Sequence, residues 1–285
     1  KLIFFKYMKT DVWWYNSSKV FDTPRALIYY HIPKCAGGSI VYWMLRHNPM
    51  ISLKLDYTRS HLFYGLHYDP WKGKFPRPDW KKTRVAVEYH YYSMKAYTKD
   101  IIPVLNNLRE KYILLNGSLT TFTTVRNPIS VIKSWYIMWP PRKYKKKYLI
   151  PFEEWTKTSG IGLIARSLVP QYKYNSNISY KTCINDLLPL SIKTLDTFDL
   201  VLYENSITNG TRNICKRMDW NRCPSVPRLR ELGPLRKKTS EEVKKASISL
   251  LKNITFCDYT IITKFFSLSS HEVFFGKTIT PIIKF

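Results

Sequence analysis

The residues with the clearest capacity for chemistry lie in one short segment, His31-Ile32-Pro33-Lys34-Cys35-Ala36-Gly37-Gly38-Ser39. The apolar run Ala26-Leu27-Ile28-Tyr29-Tyr30 precedes it, and Ser39 opens a helical pattern that continues to Arg46. A strand, then a Gly-containing turn with one lysine, then a helix start presents backbone N–H groups and a positive helix end to an anion. The segment reads as a phosphate cradle. The common nucleotide loop has the order Gly-x4-Gly-Lys-Ser/Thr, whereas Lys34 comes before both glycines. That order disfavours a nucleotide kinase and implies a different phosphate donor. A second segment, Thr121-Phe122-Thr123-Thr124-Val125-Arg126-Asn127-Pro128, ends a β-rich run at an arginine. Pro128 sits where a first helical turn tolerates proline, and Ser134 follows about two turns further on. Arg126 and Ser134 are spaced to grip one phosphate together.

The two segments resemble the paired signatures of the sulfotransferases that use 3′-phosphoadenosine 5′-phosphosulfate (PAPS). One is a 5′-phosphosulfate loop, H-x-P-K-x-x-[GS]-[GS]-[ST], matched by His31 to Ser39; the other is R-[DN]-P-x5-S, matched by Arg126 to Ser134. They occur in that order and about 90 residues apart, and Phe198-Asp199-Leu200-Val201-Leu202-Tyr203-Glu204-Asn205 resembles the family's late strand and following helix. The likeness spans roughly Ala26 to Phe266 and is strongest to the membrane-bound Golgi carbohydrate enzymes, in particular the galactose 3-O- and uronyl/heparan 2-O-sulfotransferases. Cys35 stands where Thr is usual and Asn127 where Asp is usual. Neither change removes a charge that the chemistry needs.

The resemblance implies a role for each matching residue. Lys34 neutralises charge on the bridging and equatorial oxygens as the sulfuryl group moves in line. The amides of Cys35, Ala36, Gly37, Gly38 and Ser39, with the Ser39 hydroxyl, hold the 5′-phosphate. Arg126 and Ser134 hold the 3′-phosphate that distinguishes this donor from ATP. His90, at the end of Val87-Glu88-Tyr89-His90, stands where the carbohydrate enzymes have a histidine base, and its ordinary pKa suits proton abstraction near neutrality. Strand alternation puts Glu88 on the same face, where it can orient the imidazole. His31 supports the turn. Arg230, in a basic loop from Arg228 to Lys238, is a further cofactor candidate because the family covers the nucleotide with such a loop. His47, His61, His67 and His271 have no comparable context.

Composition bounds the rest. With 285 residues, 45% hydrophobic content, and 14 Phe, 9 Trp and 21 Tyr, the chain is a folded protein with one large α/β core rather than a disordered one. Basic residues outnumber acidic ones 46 to 20, a formal net charge of +26, so the surrounding field attracts anions. The charge fits a solvated Lys-rich surface, or a face for an acidic glycan or an anionic membrane. Nucleic acid is disfavoured, since the basic residues are dispersed and no recognition motif is visible. The sequence has no run of 18 or more apolar residues, the length that would span a bilayer. The chain starts at Lys1 rather than Met, as a trimmed or processed chain would, and the family resemblance implies an upstream anchor and a Golgi-lumenal enzyme. Sequons at Asn16, Asn116, Asn177, Asn209 and Asn253 agree with the secretory pathway.

Of the five cysteines, Cys35 is expected to stay free, which leaves three pairings for Cys183, Cys215, Cys223 and Cys257. Cys215 and Cys223 bracket a short turn and are the expected bridge; four buried thiols in a reducing compartment are the alternative. No Cys-x2-Cys or His-x3-His spacing points to a metal.

The elements that must position these residues alternate. Residues 1–25 form an aromatic arm, and a single domain, 26–285, follows. Strands are expected at Ala26–Tyr30, Thr83–Glu88, Leu119–Val125 and Asp199–Tyr203, and helices at Ser39–Arg46, Tyr97–Tyr112 with a break near Pro103, Pro128–Trp139, Phe152–Lys157, Gly160–Leu168 and Ser206–Arg217. Asp56–Lys82 is a long surface excursion, Pro140–Tyr148 an exposed basic loop, the stretch after Leu168 irregular, and Thr239 with Glu242 a capping box. Such alternation predicts an α/β fold, a P-loop-like central parallel sheet flanked by helices with ligands at the carboxyl ends of its strands. The resemblance implies the sulfotransferase version of it. A phenol or small-molecule acceptor, and a non-catalytic protein that binds anionic glycans on the same fold, are the competing functions. A tyrosine sulfotransferase is disfavoured because no Glu lies in the helix after the loop.

Overall fold

The computed structural model of the chain describes residues 23–45, 51–55, 84–90, 102–138, 142–143, 148–158, 162–169, 178–227, 243, 245–266 and 282–283. The expectations for the N-terminal arm up to residue 22, the excursion 56–82, Arg230 with its basic loop, and the capping box at Thr239 lie outside the described residues.

The centre of the fold is β1 (Arg25–His31). Residues 26 to 30 are wholly buried and alternate between two cores, with Ala26, Ile28 and Tyr30 on one face and Leu27 and Tyr29 on the other. A strand covered on both faces needs no polar alternation, so it reads as a continuous apolar run, the pattern of a buried parallel sheet. Beside β1 lie β3 (Arg84–His90) and β4 (Ser118–Val125); β2 (Ile51–Leu55) lies beyond β3, and β7 (Leu200–Tyr203) beyond β4. These four pairings are parallel, and β8 (Ile282–Ile283) closes the far side antiparallel to β7. The order β2-β3-β1-β4-β7-β8 reverses the chain's direction of progress at β1. The carboxyl ends of β1, β3, β4 and β7 therefore share one edge, next to the switch point where open α/β sheets take ligands.

β4 is rich in threonine yet buried, with Thr120, Thr121, Thr123 and Thr124 at most 1% exposed. Buried hydroxyls need partners. Thr123 Oγ1 donates to Tyr30 O at 2.8 Å, and Thr121 Oγ1 to Asp199 Oδ2 at 2.9 Å. Asp199 also accepts from Thr121 N at 2.7 Å and pairs with Arg109 at 2.9 Å, which ties the helix before β4 to the start of β7.

Helices cover both faces. On one lie α1 (Gly37–Leu45) and α8 (Ile207–Met218), whose Ile40, Trp43 and Met218 pack with Tyr29, Phe122 and Leu202. Gly210 lets α8 close onto β7, because a Cβ there would lie 2.2 Å from Leu202 Cδ2. The other face carries α2 (Leu105–Leu114), α3 (Pro128–Met138), α4 (Phe152–Thr158), α5 (Leu163–Leu168) and α9 (Ile248–Phe266). It also carries α6 (Tyr180–Thr182), which runs through a π-helical turn, Cys183–Leu187, into α7 (Leu188–Leu195). A short Ile102–Val104 3₁₀ turn precedes α2, at the expected break.

Two disulfides brace these layers. Cys215–Cys223 closes the loop after α8, as expected, and Cys183–Cys257 joins the π-helical turn to α9 across 74 residues. Disulfides persist in oxidising compartments, so both fit a lumenal or secreted protein. Beside the second bridge, the buried Asp258 carboxylate accepts from Ile164 N at 3.2 Å and Ala165 N at 2.9 Å, capping α5. Burial pushes its acid up to about 6, against the opposing pull of those amides and Arg166. Among the described residues, no helix is long and apolar enough to cross a membrane.

The structure departs from the sequence reading in several places. Neither β2 nor β8 was expected, and the bounds of α9 were not given by the sequence. The stretch after Leu168, read as irregular, contains α6 and α7, because its apolar residues fall at helical spacing once past the Asn- and Ser-rich segment: Leu187, Leu188 and Leu195 are buried. The basic segment 140–148 is no plain loop, since β5 (Arg142–Lys143) pairs antiparallel with β6 (Tyr148–Leu149). Finally, β3 extends through His90 rather than ending at Glu88.

Candidate anion-binding site

The loop between β1 and α1 is built from backbone. Lys34 and Ala36 have φ of 65° and 66°, the left-handed region, on either side of Cys35. For residues with a Cβ each such conformation costs about 1–2 kcal/mol, so the surroundings must hold it. They do so from three sides. Cys35 N donates to Ile32 O at 3.3 Å, and the buried Cys35 side chain anchors the loop in the core. Thr124 Oγ1 donates a short hydrogen bond to Cys35 O, and the same hydroxyl lies 2.8 Å from Tyr29 Oη. Burial holds the Cys35 thiol far above its usual range, so it serves as packing rather than as a nucleophile.

The helical ladder of α1 starts with Ile40 N donating to Ala36 O at 3.1 Å. The N–H groups of Gly37, Gly38 and Ser39 precede that first rung, at the positive end of the helix. A Cβ at Gly37 would stand 1.6 Å from His31 Nε2, so the imidazole fills the space that any side chain would take. His31 thereby supports the turn, as expected. At Gly38 a Cβ would meet nothing within 4 Å, and the residue is exposed: the mouth of the loop is open there.

A second polar cluster lies one strand away and is made by side chains. Arg126 directly follows β4, and Glu204 directly follows β7. Because Val125 and Tyr203 are Cα partners, the two residues emerge side by side. Arg126 Nε donates to Glu204 Oε2 at 2.8 Å, and Nη1 donates to Lys34 O at 3.4 Å. Asn127 caps α3, its Oδ1 accepting from Ile129 N at 3.0 Å and Ser130 N at 3.3 Å, with Pro128 as the first helical residue. Ser134 is half-buried on α3. Arg126 bonds Glu204 and Lys34 rather than Ser134.

The third strand end belongs to the expected base. His90 is the last residue of β3 and the Cα partner of His31; Glu88 is the partner of Tyr29 and of Lys54. The sheet thus brings the backbone positions of Lys34 to Ser39, His90, Glu88 and Arg126 to one region, while Ser134 lies further along α3. The residues missed by the sequence reading are Glu204, Thr124 and the glycine-facing role of His31. Glu204 was visible in the Phe198 to Asn205 segment, but its partner follows only from the adjacency of β4 and β7.

Comparison of the chain with protein-family models and with curated proteins finds no match. The described residues form an α/β domain whose mainly parallel sheet brings the left-handed loop Lys34 to Ser39 and the Arg126–Glu204 pair together at its carboxyl edge.

Proposed function

We propose that this chain is a PAPS-dependent sulfotransferase of the Golgi carbohydrate type, moving a sulfuryl group to a hydroxyl of a glycan or glycolipid. The observation that carries the reading is the pairing of two unlike anion grips on neighbouring strands: the left-handed loop Lys34 to Ser39 and, bonded to its Lys34 carbonyl, Arg126. A donor with both a 5′-phosphosulfate and a 3′-phosphate asks for two such grips, whereas AMP or ATP asks for one.

The residues present fit that donor. The N–H groups of Gly37 and Gly38, which precede the first rung of α1, suit the 5′-phosphate, and a guanidinium that has committed two of its five N–H donors among the described residues suits the 3′-phosphate. When bound, the donor supplies an activated sulfuryl group. In this reading Lys34 offsets charge on the leaving phosphate oxygen, the loop amides orient it, and Ser134 and Arg230 add contacts to the nucleotide. His90 accepts the proton of the acceptor hydroxyl, and Glu88 orients its ring. The surplus of 26 positive charges favours an acidic acceptor. The two disulfides support a lumenal site of action, and an anchor upstream of the sequence described would hold the enzyme at the Golgi membrane.

The test is transfer itself. Purified protein, with PAPS labelled in its sulfate, is incubated with a panel of neutral glycans, acidic glycans, glycolipids and phenols. Label on a carbohydrate hydroxyl is the expected result. Label only on phenols would move the protein to the small-molecule class, and no transfer with intact bisphosphate binding would favour a non-catalytic anion-binding protein.

A further inference from the structure

We infer that Glu204 is a positioning residue that locks the Arg126 guanidinium against the Lys34 carbonyl, so that the two anion grips bind as one unit. The inference rests on the PAPS reading above and names a residue that the reading itself does not need.

The geometry is specific. Arg126 Nε is held by Glu204 Oε2 at 2.8 Å, and Nη1 reaches Lys34 O at 3.4 Å. Lys34 is one of the two left-handed residues that shape the cradle. One planar guanidinium therefore touches the carboxylate after β7 on one side and the strained loop after β1 on the other. Its remaining donors are directed by these two contacts, because the fork is rigid. Without Glu204, the Nε contact is lost and the plane is free to turn, which loosens both the 3′-phosphate grip and the brace on Lys34 O.

Charge alone predicts the opposite. A carboxylate at 2.8 Å offsets the arginine's positive charge and repels an incoming phosphate, so its removal should tighten anion binding. Arg126 and Glu204 are 28% and 33% exposed, so solvent screens the pair and its direct contribution to fold stability is small. The positioning role and the repulsive role therefore differ in sign, and they can be separated by a variant that keeps the acceptor oxygen but not the charge.

The experiment is a double-mutant cycle read by calorimetric titration with adenosine 3′,5′-bisphosphate and with AMP, on wild type, Glu204→Ala, Glu204→Gln, Arg126→Ala and the Glu204→Ala/Arg126→Ala double variant. Melting of each unliganded variant checks that it is folded. The expected result is that Glu204→Ala lowers bisphosphate affinity by about tenfold, the scale of one hydrogen bond to a charged group, while Glu204→Gln stays within about threefold of wild type. Glu204→Ala should also weaken AMP slightly through the Lys34 brace, and should change nothing further once Arg126 is absent. Tighter bisphosphate binding in both Glu204 variants, equal effects of Glu204→Ala with and without Arg126, or failure of Gln to rescue in a folded protein would each overturn the positioning role while leaving the donor assignment standing. A wild type that does not distinguish the bisphosphate from AMP would instead overturn the donor assignment, and the inference with it.

Discussion

The β1–α1 and β4–α3 junctions lie on adjacent parallel strands and end at the same edge, yet they solve the helix start in opposite ways. At β1–α1 the turn is shaped by two left-handed residues, Lys34 and Ala36, and by Gly37 and Gly38, whose N–H groups precede the first rung of the helix. At β4–α3 those groups are already satisfied, since Asn127 takes the N–H of Ile129 and Ser130 and Pro128 has none to offer. In the proposed reading an anion therefore meets backbone at the first junction and side chains at the second. The same topology thus yields a glycine-containing left-handed turn at one junction and an Asn-capped turn headed by Arg126 at the other, and the difference follows from which residues stand in the two turns.

The largest expected effect concerns the group that neither junction supplies, the base. His90→Ala should lower turnover by about 10²–10⁴-fold and leave bisphosphate affinity nearly unchanged, as measured by steady-state kinetics beside titration. Lys34→Ala should impair both, because in the proposed reading Lys34 meets the donor in the ground state as well as in the transition state. If His90→Ala kept more than about a tenth of wild-type turnover, the base would have to be sought elsewhere, with Glu88 next.

A smaller effect should separate the two junctions sterically. Gly37→Ala places a methyl group where His31 Nε2 now lies, and such overpacking costs about 1–3 kcal/mol. The bisphosphate should bind correspondingly more weakly, and His31→Ala in the same chain should recover part of the loss. No recovery in the double variant would show that His31 is not the obstacle. The smallest effect belongs to the capped junction. Asn127→Ala should lower unfolding free energy by about 1 kcal/mol in denaturant titration, the usual value of a lost N-cap, and Asn127→Asp should be close to neutral. A loss of AMP affinity as large as that from Lys34→Ala would contradict the division between the two corners.

Much of this edge was legible from sequence because β1 and β7 are buried apolar strands. Ala26 to Tyr30 and Leu200 to Tyr203 read as apolar runs, and a turn motif follows each strand that matters. The Cys215–Cys223 bridge was legible for the same local reason. What escaped depends on pairing across the chain or on backbone angles. Ile51 to Leu55 is too short and mixed to announce an edge strand. The π-helical turn at Cys183 to Leu187 is held by tertiary packing and the bridge to Cys257. Lys34 and Ala36 carry no glycine-like mark of their left-handed conformations, which are imposed by Thr124 and the core around Cys35. Glu204 becomes a partner of Arg126 only when β4 and β7 are known to be neighbours.

The central claim is that one ligand engages both junctions at once. Thermal denaturation with saturating adenosine 3′,5′-bisphosphate, AMP and ATP, on wild type and Arg126→Ala, tests it most directly, since a ligand that binds only the native state raises its melting temperature by mass action. The account predicts a much larger shift from the bisphosphate than from AMP or ATP in wild type. It also predicts that Arg126→Ala removes about 1.5–3 kcal/mol of bisphosphate binding and with it most of that preference. Equal shifts from the bisphosphate and AMP in wild type would contradict it.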